Sequence, residues 1–440
     1  MFSVTALLYI TLFLLACYAT LFHDPYFGIL LYQVQYFANP VSHWWYAGLP
    51  DIRYSYIIII IICISILIHR NRDVKSNYTS VPMTKWVVLL GLNIIVTYIW
   101  AVSPSLHVQY GMQYFKIIVY SFLAYKIIDT PKKMEALLGV YLTGIFYLSL
   151  ICWQLGRTGG GRLEGVGGAD TTDANGAAVV VVTAVPLLAF YILFGKNNWI
   201  KIAALGCMIF VLNSLILLNS RGAFLALVVG GIYFFIHLLL EKKRGTPKIK
   251  LITGVIIIIV LFVYLADNIF WSRMSSLERV DTDVSESDHR ITFWLKTFEM
   301  LENHPLGMGA RGYDVLSPYY LPAEWLSGGI RSVHSTWFEV LSEYGYHGLI
   351  IFLGYILSSI MFIRKARKYL RSCEEHYILF QSIALESAFV SLLVGGSFIN
   401  FFYGELMSWL PFYMAAFGNI YYLKAVKDNT QHPVKKLQMC

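Results

Sequence analysis

The sequence predicts an all-α, polytopic membrane protein of about twelve transmembrane helices, with one large periplasmic loop containing amphipathic helices. Three observations predict it. The 440 residues are 57% hydrophobic and only 14% charged, whereas a soluble domain carries about 25% charge. Apolar runs of about 20 residues, the length that crosses a bilayer, recur along the chain. The 16% of aromatic residues suits interfacial belts of Tyr and Trp.

The predicted spans are 3–22, 54–69, 84–102, 107–128, 134–155, 175–195, 199–218, 221–240, 249–266, 335–363, 376–400 and 405–424. The first lacks a basic start and a small-residue cleavage site, so it reads as a retained span. The aromatic stretch 25–50 reads as an interfacial or re-entrant segment, or as a short additional span. The organisation is then 1–266, N-terminal helices with outer loops 156–174 and 219–221; 267–334, the large loop; 335–424, three C-terminal helices; and 425–440, a cytoplasmic tail.

Basic residues give the orientation. The loops at 70–85, 126–133, 196–201, 242–250 and 364–371, with the tail from Lys424, hold 23 of the 34 Lys and Arg. That side is cytoplasmic by the positive-inside rule. The net charge of +8 therefore reads as topology rather than nucleic-acid binding. The large loop faces outward, into the periplasm of a Gram-negative cell. The six cysteines form no CxxC or Cys/His metal spacing, and no clustered Asp/Glu motif marks a metal site.

The kind of basic residue differs between the sides. Inside, 17 of 23 are Lys; outside, nine of ten are Arg. A topological signal is indifferent to that choice. A site that grips phosphate is not, because guanidinium offers a planar bidentate fork. The alternative for each arginine is a lipid headgroup, or a pair with the loop acids Asp281, Asp283, Glu286 and Asp288.

Four outer stretches carry candidate chemistry. The glycine-rich loop 156–178 carries Arg157 and Arg162, and Asp173 or Asn175 can cap the helix after it. It lacks the Lys-Ser/Thr of a P-loop, and a flexible hairpin is the plain alternative. The short turn 219–221 puts Arg221 at the membrane surface, where charge is functional by default. Residues 290–303 form an amphipathic helix with Ile291, Trp294, Leu295, Phe298 and Leu301 on one face, beginning at Arg290. It is followed by a Pro/Gly turn before Arg311. Finally, Arg331 precedes His334, which opens a span. Ser332 or Ser335 can cap that helix, and a neutral imidazole is favoured at a helix N-terminus. Such a group can accept a proton from a hydroxyl. Lys116 and Glu386 each lie about ten residues into a span, and equal depth predicts a structural ion pair between them.

Together these features resemble the O-antigen ligase superfamily, which includes O-antigen polymerases and O-oligosaccharyltransferases. The resemblance rests on about twelve spans, a large outer loop before the last three, and Ser220-Arg221-Gly222 in a short outer turn. It rests also on Arg290 with Trp294, and on His334 with Gly345 and Gly348. The aromatic stretch and the loop 162–175 look most like a branch of O-glycosylation ligases associated with exosortase systems.

The resemblance implies a glycosyltransferase in the bacterial inner membrane, active at the periplasmic face and needing no cofactor. Its donor would be a glycan on undecaprenyl diphosphate. Its acceptor would be lipid A-core in lipopolysaccharide biosynthesis, with another glycan or a protein Ser/Thr as alternatives. His334, Arg290 and Arg221 would be catalytic. Arg157, Arg162, Arg311 and Arg331 would bind diphosphate or substrate. The reaction would be metal-independent and inverting. A polysaccharide or lipid transporter is the reading from a different class; it predicts charges within spans and an internal repeat.

Overall fold

The computed structural model describes residues 3–46, 48–69, 77–157, 161–171, 173–241, 248–275, 289–373 and 375–426. Arg279, the four loop acids at 281–288 and the tail beyond residue 426 lie outside them.

The described residues fold into helices joined by turns and loops, with no strand among them. In chain order these are α1 (Val4–Phe22), α2 (Tyr26–Phe37), α3 (Tyr54–Ile68), α4 (Met83–Thr97), α5 (Pro104–Ile127) and α6 (Pro131–Leu155). Then come α7 (Ala174–Val182), α8 (Ala184–Phe194), α9 (Asn198–Leu218), α10 (Arg221–Leu240), α11 (Lys248–Leu265) and α12 (Asn268–Ser275). The last five are α13 (His289–Asn303), α14 (Gly312–Tyr320), α15 (Thr336–Ser372), α16 (His376–Gly396) and α17 (Glu405–Gly418).

Each predicted span falls on a helix, but not every helix is a strong membrane candidate. Among the described residues, eight helices, with α7 and α8 taken as one, are long and apolar enough to cross a bilayer. Counting α11 with α12, which meet at a bend of 100°, makes nine. This multi-pass helical architecture is coarser than the count of twelve. The shortfall has a physical reason: α3 and α17 are only 15 and 14 residues long, and α5, though long enough, carries Gln113 and Lys116, which lower its hydropathy. The stretch 25–50 resolves as the buried helix α2 followed by two short 3₁₀ turns.

The helices α10, α16, α8 and α9 pack together on one side, and α15 packs between α4, α16 and α17 on the other. The segment between α12 and α15 has a small core of its own, built from Phe293, Met300, Met308, Tyr313, Leu321 and Val333. That core gives α13 a second apolar face beside the expected one. Its buried side is Phe293, Thr297, Met300 and Leu301, while Ile291, Leu295 and Phe298 are exposed. Apolar residues occupy two faces of this helix, and spacing alone does not say which one packs inward.

The predicted Lys116–Glu386 pair is also corrected. Lys116 Nζ sits 2.9 Å from Glu405 Oε1. Glu386 is fully buried and binds Arg367, with Arg364 Nε at 2.7 Å and the Tyr233 hydroxyl donating at 2.5 Å. The reason lies in α15. It runs on to Ser372, so Arg364 and Arg367 lie along α16 rather than in a loop. Glu405, as the first residue of α17, is brought beside α5 by helix packing.

Lys116→Met strands the buried Glu405 carboxylate and lowers stability by about 3 kcal/mol. Thermal unfolding of the purified protein should show Glu405→Gln recovering most of that loss and Glu386→Gln recovering none. The opposite pattern would remove the Lys116–Glu405 assignment.

Candidate active site

His334 is the hinge between the large loop and α15. Its φ of 53° places it in the left-handed region, uncommon for a side chain with a Cβ. The surroundings hold it there. Ser335 takes the N-cap position of α15, and its N–H donates to Asn400 Oδ1 at 3.3 Å. The Trp294 indole N–H donates to the Val333 carbonyl at 3.2 Å, and its ring stacks on Phe338 at 5.3 Å. Trp294 therefore fixes the residue before His334. Arg290, four residues earlier, shares its helix face.

The turn at 304–311 docks against a break in α15. Gly345 has φ 66°, and a Cβ there would come within 3.0 Å of the Leu306 backbone. Gly309 N–H donates to the Glu343 carbonyl, and Arg311 N–H to Glu343 Oε1 at 2.7 Å. The guanidinium of Arg311 then reaches Asp314 at 3.1 Å and lies over the Tyr110 ring. Burial raises the Asp314 carboxyl above its ordinary range, opposed by Arg311 and the Ser332 hydroxyl.

The glycine-rich loop is pinned rather than free. Leu163 N–H donates to the Leu217 carbonyl, and Ala169 N–H to the Tyr36 carbonyl. Asp173 caps α7 through Asn175 N–H and Gly176 N–H, as its position predicts. The Ser220 hydroxyl, which caps α10, donates to Asn175 Oδ1 at 2.8 Å. In the Ser220-Arg221-Gly222 turn, a Cβ on Gly222 would lie 2.9 Å from Phe398 Cβ. Glycine lets α10 start against the 397–404 loop.

These pieces enclose a polar cavity of about 370 Å³. His334 and Arg311 line it, with Asp170, Asn175, Glu339 and Tyr403 among their neighbours. The N-terminal ends of four helices meet there: α7 at Asn175, α14 at Arg311, α15 at His334 and α17 at Gly404. Each helix N-terminus carries about +0.5 of an elementary charge, and carboxylates answer three of the four: Asp173 caps α7, Glu343 takes Arg311 N–H and Asp170 takes Glu405 N–H.

The other expected arginines lie outside that lining. Arg157 makes a two-point pair with Asp267 and also donates to the Ile216 carbonyl, tying the loop to the start of α12. Arg162 pairs with Glu164 at 3.3 Å. Arg331 lies over the Phe293 ring at 5.1 Å. Arg221 heads α10, one residue from the Ser220–Asn175 bond at the cavity edge.

Asp170 was not expected. Its Oδ2 accepts from the Tyr36 hydroxyl at 2.9 Å and from Glu405 N–H at 2.7 Å. Burial, then the charge of Glu405, pushes its carboxyl up to about 7 from 3.8, against those hydrogen bonds and Lys116. The folded state thus holds a proton there that the unfolded chain releases near pH 4. This contribution to stability is complete below about pH 4 and is lost as pH rises through about 7. Wild type should therefore melt higher at pH 5 than at pH 8, and Asp170→Asn should flatten the difference. An unchanged slope would show that Asp170 does not titrate in this window.

The fold is that of a multi-pass helical membrane protein, with a polar cavity between the membrane helices and the large loop. Residues 206–353 match the model of the family described as O-antigen ligase. That match supports the O-antigen ligase superfamily and a glycosyltransferase of the ligase or polymerase type. The matched residues run from within α9 into α15 and include Arg221, Arg290, Arg311, Arg331 and His334. No curated protein matches the chain.

Proposed function

We propose that the protein transfers a glycan from undecaprenyl diphosphate to an acceptor hydroxyl at the periplasmic face of the bacterial inner membrane. The leading acceptor is lipid A-core, as in O-antigen ligation. The observation that carries the reading is the meeting of four helix N-termini around Arg311 and His334. The diphosphate leaving group is an anion, and preorganised N–H groups and guanidinium stabilise the charge that grows on it. Asp170 is partly protonated near neutral pH, so it repels that anion less than an ordinary carboxylate would.

The polyprenyl tail has a fitting place. An apolar groove of about 440 Å³ runs along α10 past Phe224, Leu227 and Val228, against α8, α9 and α11. It starts one turn below Arg221. In this reading Arg221 and Arg290 hold the diphosphate at the top of the groove. The acceptor oxygen attacks the anomeric carbon on the face opposite the diphosphate. The carbon–oxygen bond to diphosphate breaks, His334 takes the hydroxyl proton, and the configuration inverts.

The test offers one undecaprenyl-diphosphate glycan to the purified protein with lipid A-core, free glycan or a Ser/Thr peptide. Transfer to lipid A-core is expected. Transfer only to glycan or to peptide would reassign the acceptor, and no transfer to any would sink the reading. Chelator should leave the rate unchanged; a loss restored by Mg²⁺ would overturn metal independence.

A further inference from the structure

A second cavity, of about 500 Å³, lies on the other side of a thin wall from the first. Ala169 lines both. The wall is a hydrogen-bonded chain: Asp170 accepts from Glu405 N–H, and Glu405 Oε1 accepts from Lys116 at 2.9 Å and from the Tyr32 hydroxyl at 3.2 Å. Asp170 faces the first cavity, while Glu405 and Lys116 face the second.

The second cavity differs in chemistry from the first. Its charges balance: Lys116 is matched by Glu405, and Arg53 stands beside Asp51 in the chain. Two helix N-termini reach it, those of α3 at Arg53 and α17 at Glu405, and each begins beside a carboxylate. The walls offer tyrosine rings, Tyr56 among them with Arg53 over it at 5.7 Å, and the planar amides of Gln35 and Asn39.

An uncharged sugar fits all of this. It presents apolar C–H faces to aromatic rings and hydroxyls to amides, carboxylates and guanidinium. The volume is that of a ligand pocket, about 300–1,000 Å³. We propose that this cavity binds uncharged sugar units of the substrate glycan, next to the unit that reacts. The proposal rests on the glycan-transfer reading above, and it adds a site on α2, α3 and α5, outside the matched family segment.

The test uses full-length protein and the neutral glycan that mild acid releases from the polyprenyl-diphosphate lipids of the producing cells. Binding is measured for wild type, Arg53→Ala with Tyr56→Ala, and Asp51→Asn. Arg53 and Asp51 are exposed and Tyr56 is only partly buried, so the variants should fold. The double variant should bind at least about tenfold more weakly, and added pyrophosphate should not compete with wild-type binding. Equal binding by the double variant, absence of binding by wild type, or displacement by pyrophosphate would overturn the proposal. A parallel transfer assay separates the two ideas. Transfer by wild type with unaltered glycan binding in the variants would remove the sugar site and leave the enzyme. Binding lost in the variants, with no transfer by wild type, would keep the sugar site and remove the enzyme.

Discussion

Replacing His334 with Ala should lower the rate of glycan transfer by about 10²–10⁴-fold, the usual contribution of a positioned general base. Its chain position makes the expectation specific. The residue is held at φ 53° between Val333, fixed by Trp294, and Ser335, fixed by Asn400. Ala tolerates that backbone no better than His does, so the variant should keep its fold while losing the proton acceptor. Added imidazole separates chemistry from structure: it should restore part of the rate of His334→Ala, as it does where only a proton acceptor is missing. Trp294→Phe removes the indole N–H but not the ring, so it should lower the rate less and gain nothing from imidazole. A His334→Ala variant with wild-type rate would take the base out of the mechanism.

Glu386→Ala should be the most destabilising single change at the opposite end of the bundle, by about 5 kcal/mol. Arg367, only 4% exposed, would lose its carboxylate and remain buried as an uncompensated cation. Arg364 and the Tyr233 hydroxyl would lose the same partner. The measurement is thermal or denaturant unfolding of the purified protein. Arg367→Met added to Glu386→Ala should recover a large part of the loss. If the double variant is no better than Glu386→Ala, the cluster is not what holds α10, α15 and α16 together.

Chemistry-bearing residues on the loops were legible where residue type and order spoke together. His334 and Arg311 stood out as outward groups in an Arg-biased loop, and both line the cavity. Asp173 was readable as a cap from its place before an apolar run. Pairings across the bundle were not readable. Lys116 and Glu386 appeared to match in depth, yet each found another partner, because depth along a helix says nothing about which helix lies alongside. Asp170 was hidden in a loop whose glycines suggested looseness, although Tyr36 and Glu405 fasten it from two sides. Glu405 was readable only as the first residue of a span. A carboxylate opening an apolar run of mostly large residues was the available signal. The polar residues of α5 weakened its signal as a span for the same reason that they matter: Gln113 and Lys116 line the cavities.

The Lys116–Glu405 pair spans 289 positions of the chain, which sets an order for biogenesis. The ribosome delivers α5 long before α17, so the insertion machinery meets Lys116 with its eventual acid still unmade. A lysine at the centre of a lone helix opposes insertion by about 2.5–3.5 kcal/mol. Lys116 therefore stays without its acid until α17 arrives, and only then can the wall between the two cavities close.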